Sequence, residues 1–313
     1  MEPRHAIGLD LGGTDLKAGL VSGRGEVAHF LRLPARAGEQ ADAPLEVIAG
    51  AVAELRRAAA GPLAGIGLGC PGMIDPASGA LAGRTPHLPH WDSLPLRALL
   101  TERLGARLVV ENDASLAALA EHRVGAARGA RISLTVTVGT GIGCGVIVDG
   151  RLLRGAHGGA GELGHLPLDG RFPCRCGVPG CVEPECSGGG LVARAAETGL
   201  VVPDAAAVFV AAAAGDRRAS RLIERMTDRL GALIAVTVTL LDPEVVVIGG
   251  GVSNAGEALL TQLRSAVARY ALGSHGRRVR IVGAALGERA GVVGAGLAAW
   301  EMVGDGQAEA PSA

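Results

Sequence analysis

The first residues of the chain form short apolar runs that are separated by polar and glycine-containing turns. Three such runs, over residues 6–11, 17–21 and 27–33, follow one another with only a few residues between them. Apolar runs of this length predict β-strands, and the short connections predict an antiparallel meander. The sequence therefore predicts that a three-stranded antiparallel sheet opens the fold.

The apolar positions then change to helical spacing. Leu45, Ile48, Val52 and Leu55 recur at intervals of one helical turn, which predicts a helix over 44–60. The further elements predicted in this part are strands over 66–70 and 107–110 and helices over 95–104 and 114–122. Alternation of strands and helices predicts an α/β lobe.

A second set of elements begins near residue 132. A strand over 132–138 runs into a glycine loop, and residues 145–149 predict the next strand. The later elements are helices to about residue 241, a strand over 244–248 and a last helix over 294–302. Each half thus starts with a strand and a glycine turn, which is typical of a duplicated α/β core and not of a solenoid repeat.

Composition narrows the class of protein. The 313 residues carry a net charge of −1 with 19% charged residues, which gives no sign of the basic face that binds nucleic acid. No apolar run is long enough to span a membrane and no secretion signal is evident, so we expect a cytoplasmic protein without a membrane partner. Lys17 is the only lysine, and arginine supplies the other basic side chains.

Three glycine turns follow strands and are candidate phosphate-binding elements. They are the turn at Asp10, Gly12, Gly13 and Thr14, the loop at Gly139, Thr140 and Gly141, and the turn at Gly249, Gly250 and Gly251. Glycine lets backbone N–H groups approach an anion without a Cβ atom in the way. The Asp10 carboxylate suits orientation of magnesium or its waters near phosphates. The alternative to phosphate binding, for each turn taken alone, is that it is an ordinary structural turn. Two hairpin turns that face each other would clamp the phosphates of a nucleotide.

The segment Glu111-Asn112-Asp113 lies between a predicted strand and a predicted helix. A hydroxyl that attacks ATP requires a base that accepts its proton as the bond to phosphorus forms. Asp113 suits that role, and Asn112 suits binding of a neighbouring sugar hydroxyl. The alternative is structural, because Asn or Asp immediately before a helix is the expected N-cap.

One cluster of metal-binding side chains predicts a zinc site. His165, Cys174, Cys176 and Cys181 follow the spacing His-x8-Cys-x-Cys-x4-Cys. One imidazole and three thiolates form a closed tetrahedral zinc site of the structural type, with no open position for a catalytic water. The alternative is a chance cluster of free thiols. The cysteines outside this spacing are expected to be packing residues: Cys70, Cys144 and Cys186.

Taken in order, these motifs resemble the ROK family of sugar kinases and repressors, and most of all its bacterial ATP-dependent glucokinases, whose zinc site has one histidine and three cysteine ligands. The resemblance covers nearly the whole chain. It rests on the segments 10–14, 71–72, 111–113, 139–145, 161–165, 174–183 and 249–251. The family implies an α/β, actin-like (ribonuclease H-like) fold of two lobes, with sugar and ATP in an interdomain cleft.

The resemblance also implies roles for residues. Asp113 matches the general base that activates the sugar 6-hydroxyl. The substrate-binding positions are Gly72, His87, Asn112, Asp113, Glu162, His165 and Glu183. The phosphate-binding positions are Asp10, Gly12, Gly13, Thr14, Gly139, Thr140, Gly141, Gly249, Gly250 and Gly251. One nitrogen of His165 would bind zinc while the other faces the sugar, and the zinc would stiffen the loop that presents Glu162 and Glu183.

The family further implies lobes that are discontinuous in sequence. The last helix would return to the N-terminal lobe, which gives a small lobe of residues 1–118 with 290–304 and a large lobe of residues 119–289 with the zinc loop. We expect a disordered tail over 305–313. The implied activity is ATP-dependent phosphorylation of a hexose 6-hydroxyl, with glucose as the first candidate, as in glycolysis. Such a transferase uses ATP, Mg²⁺ and a structural Zn²⁺, and forms a homodimer or homotetramer.

Two positions depart from the family pattern. Asp15 stands where many relatives have Lys, although that position varies in the family. His87 stands where similar glucokinases have an Asn that contacts a sugar hydroxyl, and a neutral imidazole offers one donor and one acceptor. The preferred hexose therefore stays open, with a kinase for an amino or N-acetyl hexose (glucosamine, N-acetylmannosamine or N-acetylglucosamine) as the alternative. Polyphosphate also stays open as a phosphoryl donor.

Two non-enzymatic alternatives are disfavoured. The repressors of the family carry a helix-turn-helix domain before the first glycine motif, whereas few residues precede it here and the net charge is not basic. A non-catalytic sugar sensor would be expected to lose the base or the phosphate-binding glycines, and both are intact.

Overall fold

The computed structural model describes residues 5–308, which form two compact units. The first unit comprises the chain up to Val124, the segment Leu152–Ala160 and the chain from Glu288 onward. The second comprises Gly125–Arg151 and Gly161–Gly287. The first unit thus extends a few residues beyond the predicted limit at 118 and includes a short segment from the middle of the chain. None of the helices in the described range has the length and apolarity that a membrane span requires.

The first unit is an α/β layer structure around one five-stranded sheet. Its elements are β1 (His5–Leu11), β2 (Asp15–Val21), β3 (Val27–Pro34), α1 (Asp42–Ala58), β4 (Leu63–Cys70), β5 (Arg84–Thr85), β6 (Leu88–Asp92), α2 (Leu96–Leu104), β7 (Leu108–Asn112), α3 (Asp113–Val124) and α10 (Ala290–Ala308). The strand order is β3-β2-β1-β4-β7. β1, β2 and β3 form the predicted antiparallel meander, and β4 and β7 run parallel to β1.

The second unit repeats this arrangement. Its elements are β8 (Ile132–Val138), β9 (Ile142–Val148), β10 (Arg151–Leu152), α4 (Glu183–Cys186), α5 (Gly188–Glu197), α6 (Ala205–Ala213), α7 (Arg217–Leu241), β11 (Val245–Gly249), α8 (Glu257–Tyr270), α9 (His275–Arg278) and β12 (Arg280–Gly283). The strand order is β10-β9-β8-β11-β12, with β8 and β9 antiparallel and β11 and β12 parallel to β8. The two sheets therefore share one topology, as the repeated strand and glycine turn predicted.

Several elements differ from their predicted bounds. β9 begins at Ile142 and not at 145, because Ile142 pairs with Val138 directly across the glycine turn. The last helix begins at Ala290 and continues to Ala308, so it is longer than the predicted 294–302 at both ends. The rest of the predicted tail, residues 309–313, lies outside the described residues. The hairpin of β5 and β6, helix α8 and strand β12 were absent from the prediction.

Helix α10 lies unusually close to the sheet of the first unit because glycines line the contact. A Cβ atom on Gly67, in β4, would overlap the carbonyl oxygen of Ala295 in α10. A Cβ atom on Gly294 would likewise overlap the carbonyl oxygen of Leu116 in α3. The obstructing atoms are backbone, which cannot rotate away, so this contact requires glycine at both positions.

The substitution Gly67→Ala is therefore expected to destabilise the protein by about 1–3 kcal/mol or more, since the added methyl group must push α10 away from β4. Gly50→Ala is the matched control, because Gly50 lies inside α1 and a Cβ atom added to it would have no neighbouring atom within 4 Å. That change is expected to stabilise by about 0.5–1 kcal/mol. Thermal unfolding of both variants measures the effects, and a Gly67→Ala protein as stable as the wild type would contradict the close contact.

Candidate active site and metal centre

Asp10 lies at the end of β1 and forms an ion pair with the neighbouring strand. It is directly opposite Lys17 of β2, and 3.7 Å separates Lys17 Nζ from Asp10 Oδ2. The carboxylate also lies against Gly291 in the first turn of α10, where a Cβ atom would overlap it. Burial raises the pKa of Asp10 to about 6, against the opposing effect of Lys17, and the nearby Asp113 carboxylate adds to the rise.

The first glycine turn connects β1 to β2 and is covered on one side by His87. The Gly12 N–H donates to the carbonyl oxygen of Asp15 at 2.8 Å, which closes the turn. A Cβ atom on Gly13 would lie 3.3 Å from Nδ1 of His87. The structure thus places His87, a predicted sugar-binding residue, in contact with the predicted phosphate-binding turn of the same unit. Thr14 lies in this turn with an exposed side chain.

At the end of β7, the N-cap of α3 and the predicted catalytic base are two different residues. Oδ1 of Asn112 accepts a hydrogen bond from the Ser115 N–H at 3.0 Å, which is the N-cap bond of α3. Nδ2 of Asn112 donates to the carbonyl oxygen of Gly72 at 3.1 Å. Asp113 is the first residue of α3, and its Oδ1 accepts from the Ala114 N–H at 2.8 Å. The predicted structural alternative therefore applies to Asn112, and the N-cap bond does not depend on Asp113.

In the second unit, Glu183 binds the backbone of the glycine loop between β8 and β9. Its Oε2 accepts a hydrogen bond from the Ile142 N–H at 2.8 Å and lies 2.6 Å from the position of a Cβ atom on Gly141. The loop is also closed by the Gly139 N–H, which donates to the carbonyl oxygen of Gly141 at 2.9 Å. Glu183, a predicted sugar-binding residue, is thus also a support of the predicted phosphate-binding loop.

Two further glycine segments pack on the same loop. Gly250 adopts a φ of 80°, and a Cβ atom there would lie 2.5 Å from the carbonyl oxygen of Val138, so the third predicted turn lies beside the second. The start of α5 was not among the predicted site elements. The Gly188 N–H donates to the carbonyl oxygen of Gly139 at 2.7 Å, and Ser187 Oγ caps the helix by accepting from the Gly190 N–H. The three consecutive glycines after Ser187 were the available signal.

The four predicted metal ligands are brought together by the turn-rich segment before α4. One ligand atom from each of His165, Cys174, Cys176 and Cys181 lies within 4.8 Å of the others. Nδ1 of His165 is 3.5 Å from the Cys174 sulfur, and the sulfurs of Cys176 and Cys181 are also 3.5 Å apart. Zn–S bonds of about 2.3 Å at tetrahedral angles place two sulfurs roughly 3.8 Å apart. The donor set and its spacing therefore fit a tetrahedral zinc ion.

His165 connects this centre to Glu162. While Nδ1 faces the cysteines, Nε2 lies 3.8 Å from Oε2 of Glu162. Burial raises the pKa of the Glu162 carboxyl, His165 opposes the rise, and Glu183 adds to it. The three residues predicted to bind sugar from this unit thus form one group beside the candidate metal centre.

The comparison with known families decides the identity of the fold. Residues 6–301 match the ROK family. The chain belongs to the ROK family. A glucokinase from Halalkalibacterium halodurans is 35% identical over 95% of this chain and 95% of its own length. An N-acetylmannosamine kinase from Citrobacter koseri is 37% identical over 84% of this chain and 88% of its own length.

A solved structure extends the comparison to three dimensions. The ROK family glucokinase from Streptomyces griseus, in complex with glucose and AMPPNP, superimposes with a TM-score of 0.82 and 32% identity. The match covers 93% of this chain and 98% of that one. ROK sugar kinases have the actin-like ATPase fold, and the predicted fold class is confirmed.

Proposed function

We propose that this ROK protein transfers the γ-phosphoryl group of ATP to the 6-hydroxyl of a hexose, with glucose as the first candidate. The glucokinase relatives, which match nearly the whole chain, support the reaction class. The observation that carries the catalytic assignment is the division of roles at the start of α3. Because Asn112 makes the N-cap bond, the Asp113 carboxylate can serve as base without loss of the cap.

In the proposed reaction, Asp113 accepts the proton of the 6-hydroxyl as its oxygen bonds to the γ-phosphorus. The bond between that phosphorus and the bridging oxygen to the β-phosphate breaks, and ADP leaves. Positioning and neutralisation of charge account for most of the acceleration in such reactions. The backbone N–H groups of the glycine turns at 12–14, 139–141 and 249–251 are the proposed hydrogen-bond donors to the phosphates. Asp10 would orient the magnesium ion that accompanies ATP.

Each unit contains residues that we propose as hexose ligands. Gly72, His87 and Asn112 belong to the first unit, where Asn112 donates a hydrogen bond to the carbonyl oxygen of Gly72. Those of the second are Glu162, His165 and Glu183. Carboxylates and imidazole suit this role because sugar hydroxyls both donate and accept hydrogen bonds.

We propose that zinc occupies the centre of His165, Cys174, Cys176 and Cys181. These four side chains would hold the ion as a structural cross-link and would leave no position for a catalytic water. His165 then presents its second nitrogen to Glu162, whose Oε2 lies 3.8 Å away, and so fixes the orientation of that carboxylate for the sugar.

A cytoplasmic homodimer or homotetramer is the proposed form of the protein, and its mass in solution is measurable by light scattering.

A kinase for an amino or N-acetyl hexose is the second candidate. The N-acetylmannosamine kinase relative and the presence of His87 favour it. Initial rates with ATP should be measured for glucose, mannose, glucosamine, N-acetylmannosamine and N-acetylglucosamine. A glucose preference in kcat/KM is expected; preference for an acetylated sugar would transfer the assignment to the second candidate, and no turnover on any sugar would contradict both. Rates measured with polyphosphate in place of ATP show which of the two is the preferred phosphoryl donor.

A further inference from the structure

A buried carboxylate in α4 lies outside the predicted site residues. Glu185 follows the proposed sugar ligand Glu183 by two positions, and only 3% of its side chain is exposed. A buried carboxylate is stable only where cations or hydrogen-bond donors compensate its lost contact with water. The partners of Glu185 therefore show what holds α4 in place.

Two arginines of α7 compensate this charge. Nη2 of Arg225 lies 3.0 Å from Oε1 of Glu185, and Nε of Arg229 lies 2.6 Å from Oε2. The two arginines are four positions apart, so they lie on the same face of the helix. Arg229 is the more buried of the two, with 22% of its side chain exposed against 47% for Arg225. Both oxygens of the carboxylate are thus bound to one face of α7.

Arg229 also binds the backbone that follows His165. Its Nη2 donates to the carbonyl oxygen of Leu168 at 2.8 Å and to that of Asp169 at 2.6 Å. Asp169 has a φ of 56°, a left-handed conformation that a non-glycine residue keeps only where its surroundings hold it. The guanidinium group therefore fixes a strained turn that lies a few residues after a predicted metal ligand.

Glu185 binds the same part of the chain from α4. Its Oε1 accepts a hydrogen bond from the Arg171 N–H at 3.4 Å. Zinc at the four predicted ligands would join His165, which precedes this part of the chain, to Cys181, which precedes α4. The pair of Glu185 and Arg229 joins the same two segments without a metal ion. The loop therefore has a second cross-link.

The proposed hexose ligands of the second unit lie on the two segments that this pair joins. Glu162 and His165 come just before the turn that Arg229 binds, and Glu183 shares α4 with Glu185. Helix α7 is 25 residues long and has a buried apolar face, so it is a rigid support for both segments. Movement of either segment would displace the hexose ligands relative to one another.

We propose that Arg229 is a positioning residue for hexose binding, which acts through Glu185 and through the carbonyl oxygens of the turn after His165. It holds the three proposed ligands of the second unit in one arrangement. The inference rests on the proposed kinase function and gives a role to residues that the sequence motifs did not assign. It also gives the loop two supports, a metal ion and an ion pair, which can be removed one at a time.

Two variants of the full-length protein and one control test the proposal. Arg229→Lys keeps the charge, but an ammonium group cannot bind the carboxylate and two carbonyl oxygens with the geometry of a planar guanidinium. Glu185→Gln keeps the shape of the side chain and removes its charge. Arg221→Lys is the matched control, because Arg221 lies about two turns before Arg229 on α7 and has an exposed side chain.

Five measurements separate positioning from folding. Titration calorimetry gives the Kd of the hexose that the wild type prefers, and steady-state kinetics give its KM and kcat. Elemental analysis gives zinc per chain, and thermal unfolding verifies that each variant is folded. Hydrogen exchange followed by mass spectrometry measures local opening of the loop over 166–172, and it requires no sugar.

Arg229→Lys and Glu185→Gln are expected to raise the Kd and KM of the hexose about 10- to 100-fold, the usual effect of loss of a partner that orients a binding group. The kcat should change far less than KM, because the proposed base Asp113 belongs to the first unit. Zinc should stay at one ion per chain, since every metal ligand is intact. Amides over 166–172 should exchange faster than in the wild type, and Arg221→Lys should match the wild type throughout.

Each other outcome overturns a defined part of the inference. A lower melting temperature with a wild-type Kd for the hexose would show that the pair only stabilises the fold, and the positioning role would be wrong. Loss of zinc from Arg229→Lys would overturn the claim of two separate supports. Unchanged hydrogen exchange over 166–172 would overturn the cross-link itself.

The test also holds if one variant or the proposed function fails. Arg229→Lys leaves no charge without a partner of opposite sign, so it carries the test if Glu185→Gln does not fold. A wild type that neither binds nor phosphorylates a hexose contradicts the proposed function and the positioning role with it. In that case faster exchange in Arg229→Lys would still establish the cross-link, and unchanged exchange would refute it.

Discussion

The substitution Asp113→Asn is expected to lower kcat for hexose phosphorylation by about 10²- to 10⁴-fold, the usual contribution of a positioned general base. The side chain keeps its size, and the amide oxygen of Asn can still accept the hydrogen bond that the Ala114 N–H donates at 2.8 Å. The N-cap bond of α3 is made by Asn112 and is unaffected. Stability and glucose affinity should therefore stay close to those of the wild type.

A coupled assay of ADP formation measures kcat, and titration calorimetry measures glucose binding. Asp204→Asn is the matched control. Asp204 also accepts a backbone hydrogen bond at the start of a helix, from the Ala207 N–H at 2.9 Å, but that helix is α6 and contains none of the proposed site residues. It should retain full activity. If Asp113→Asn lost glucose binding and activity together, the carboxylate would be structural and not the base.

Replacement of Cys176 by Ser should release zinc from the second unit and weaken sugar binding together with stability. Serine is a poor zinc ligand, and zinc binding to such sites contributes directly to folding. A loss of about 3 kcal/mol would lower the melting temperature by roughly 6–12 °C. Because His165 links the centre to Glu162, the KM for glucose should rise about 10- to 100-fold.

Elemental analysis of the purified protein measures zinc per chain, with one ion expected for the wild type and none for the variant. Arg175→Ala is the control, since Arg175 lies between two ligands and has an exposed side chain. It should keep its zinc and its glucose KM. A Cys176→Ser protein with unchanged melting temperature and kinetics, together with a wild type that carries no metal, would overturn the zinc assignment.

Much of the fold could be predicted because its elements have strong local signals. The meander of β1, β2 and β3 follows from short apolar runs with short connections, and the helix α1 follows from helical spacing within one segment. Helix α8 has the same kind of signal, with Leu259, Leu263 and Val267 buried at helical spacing, although the sequence analysis gave it no bounds. The hairpin of β5 and β6 contains two prolines, Pro86 and Pro89, and has no local strand signal.

The parts of the candidate site that could be predicted are those whose residues lie close together in the sequence. The zinc ligands lie within 17 positions of one another in the sequence, and the structure brings their ligand atoms within 4.8 Å. In contrast, the bond from the Ile142 N–H to Glu183 joins residues 41 positions apart, and no local pattern indicates it. The ion pair of Lys17 with Asp10 depends on strand register, which a pattern of apolar residues leaves open.

The close contact between α10 and the glycines of β4 bears on how the protein is made. Synthesis proceeds from the N-terminus, so the whole second unit leaves the ribosome before the residues of α10 do. Until then the face of β1 and β4 that α10 covers has no partner, and the first unit cannot complete its core. A nascent chain therefore holds its first sheet unfinished during most of translation, and the final step of its maturation is the docking of a helix onto strands made about 220 to 280 residues earlier.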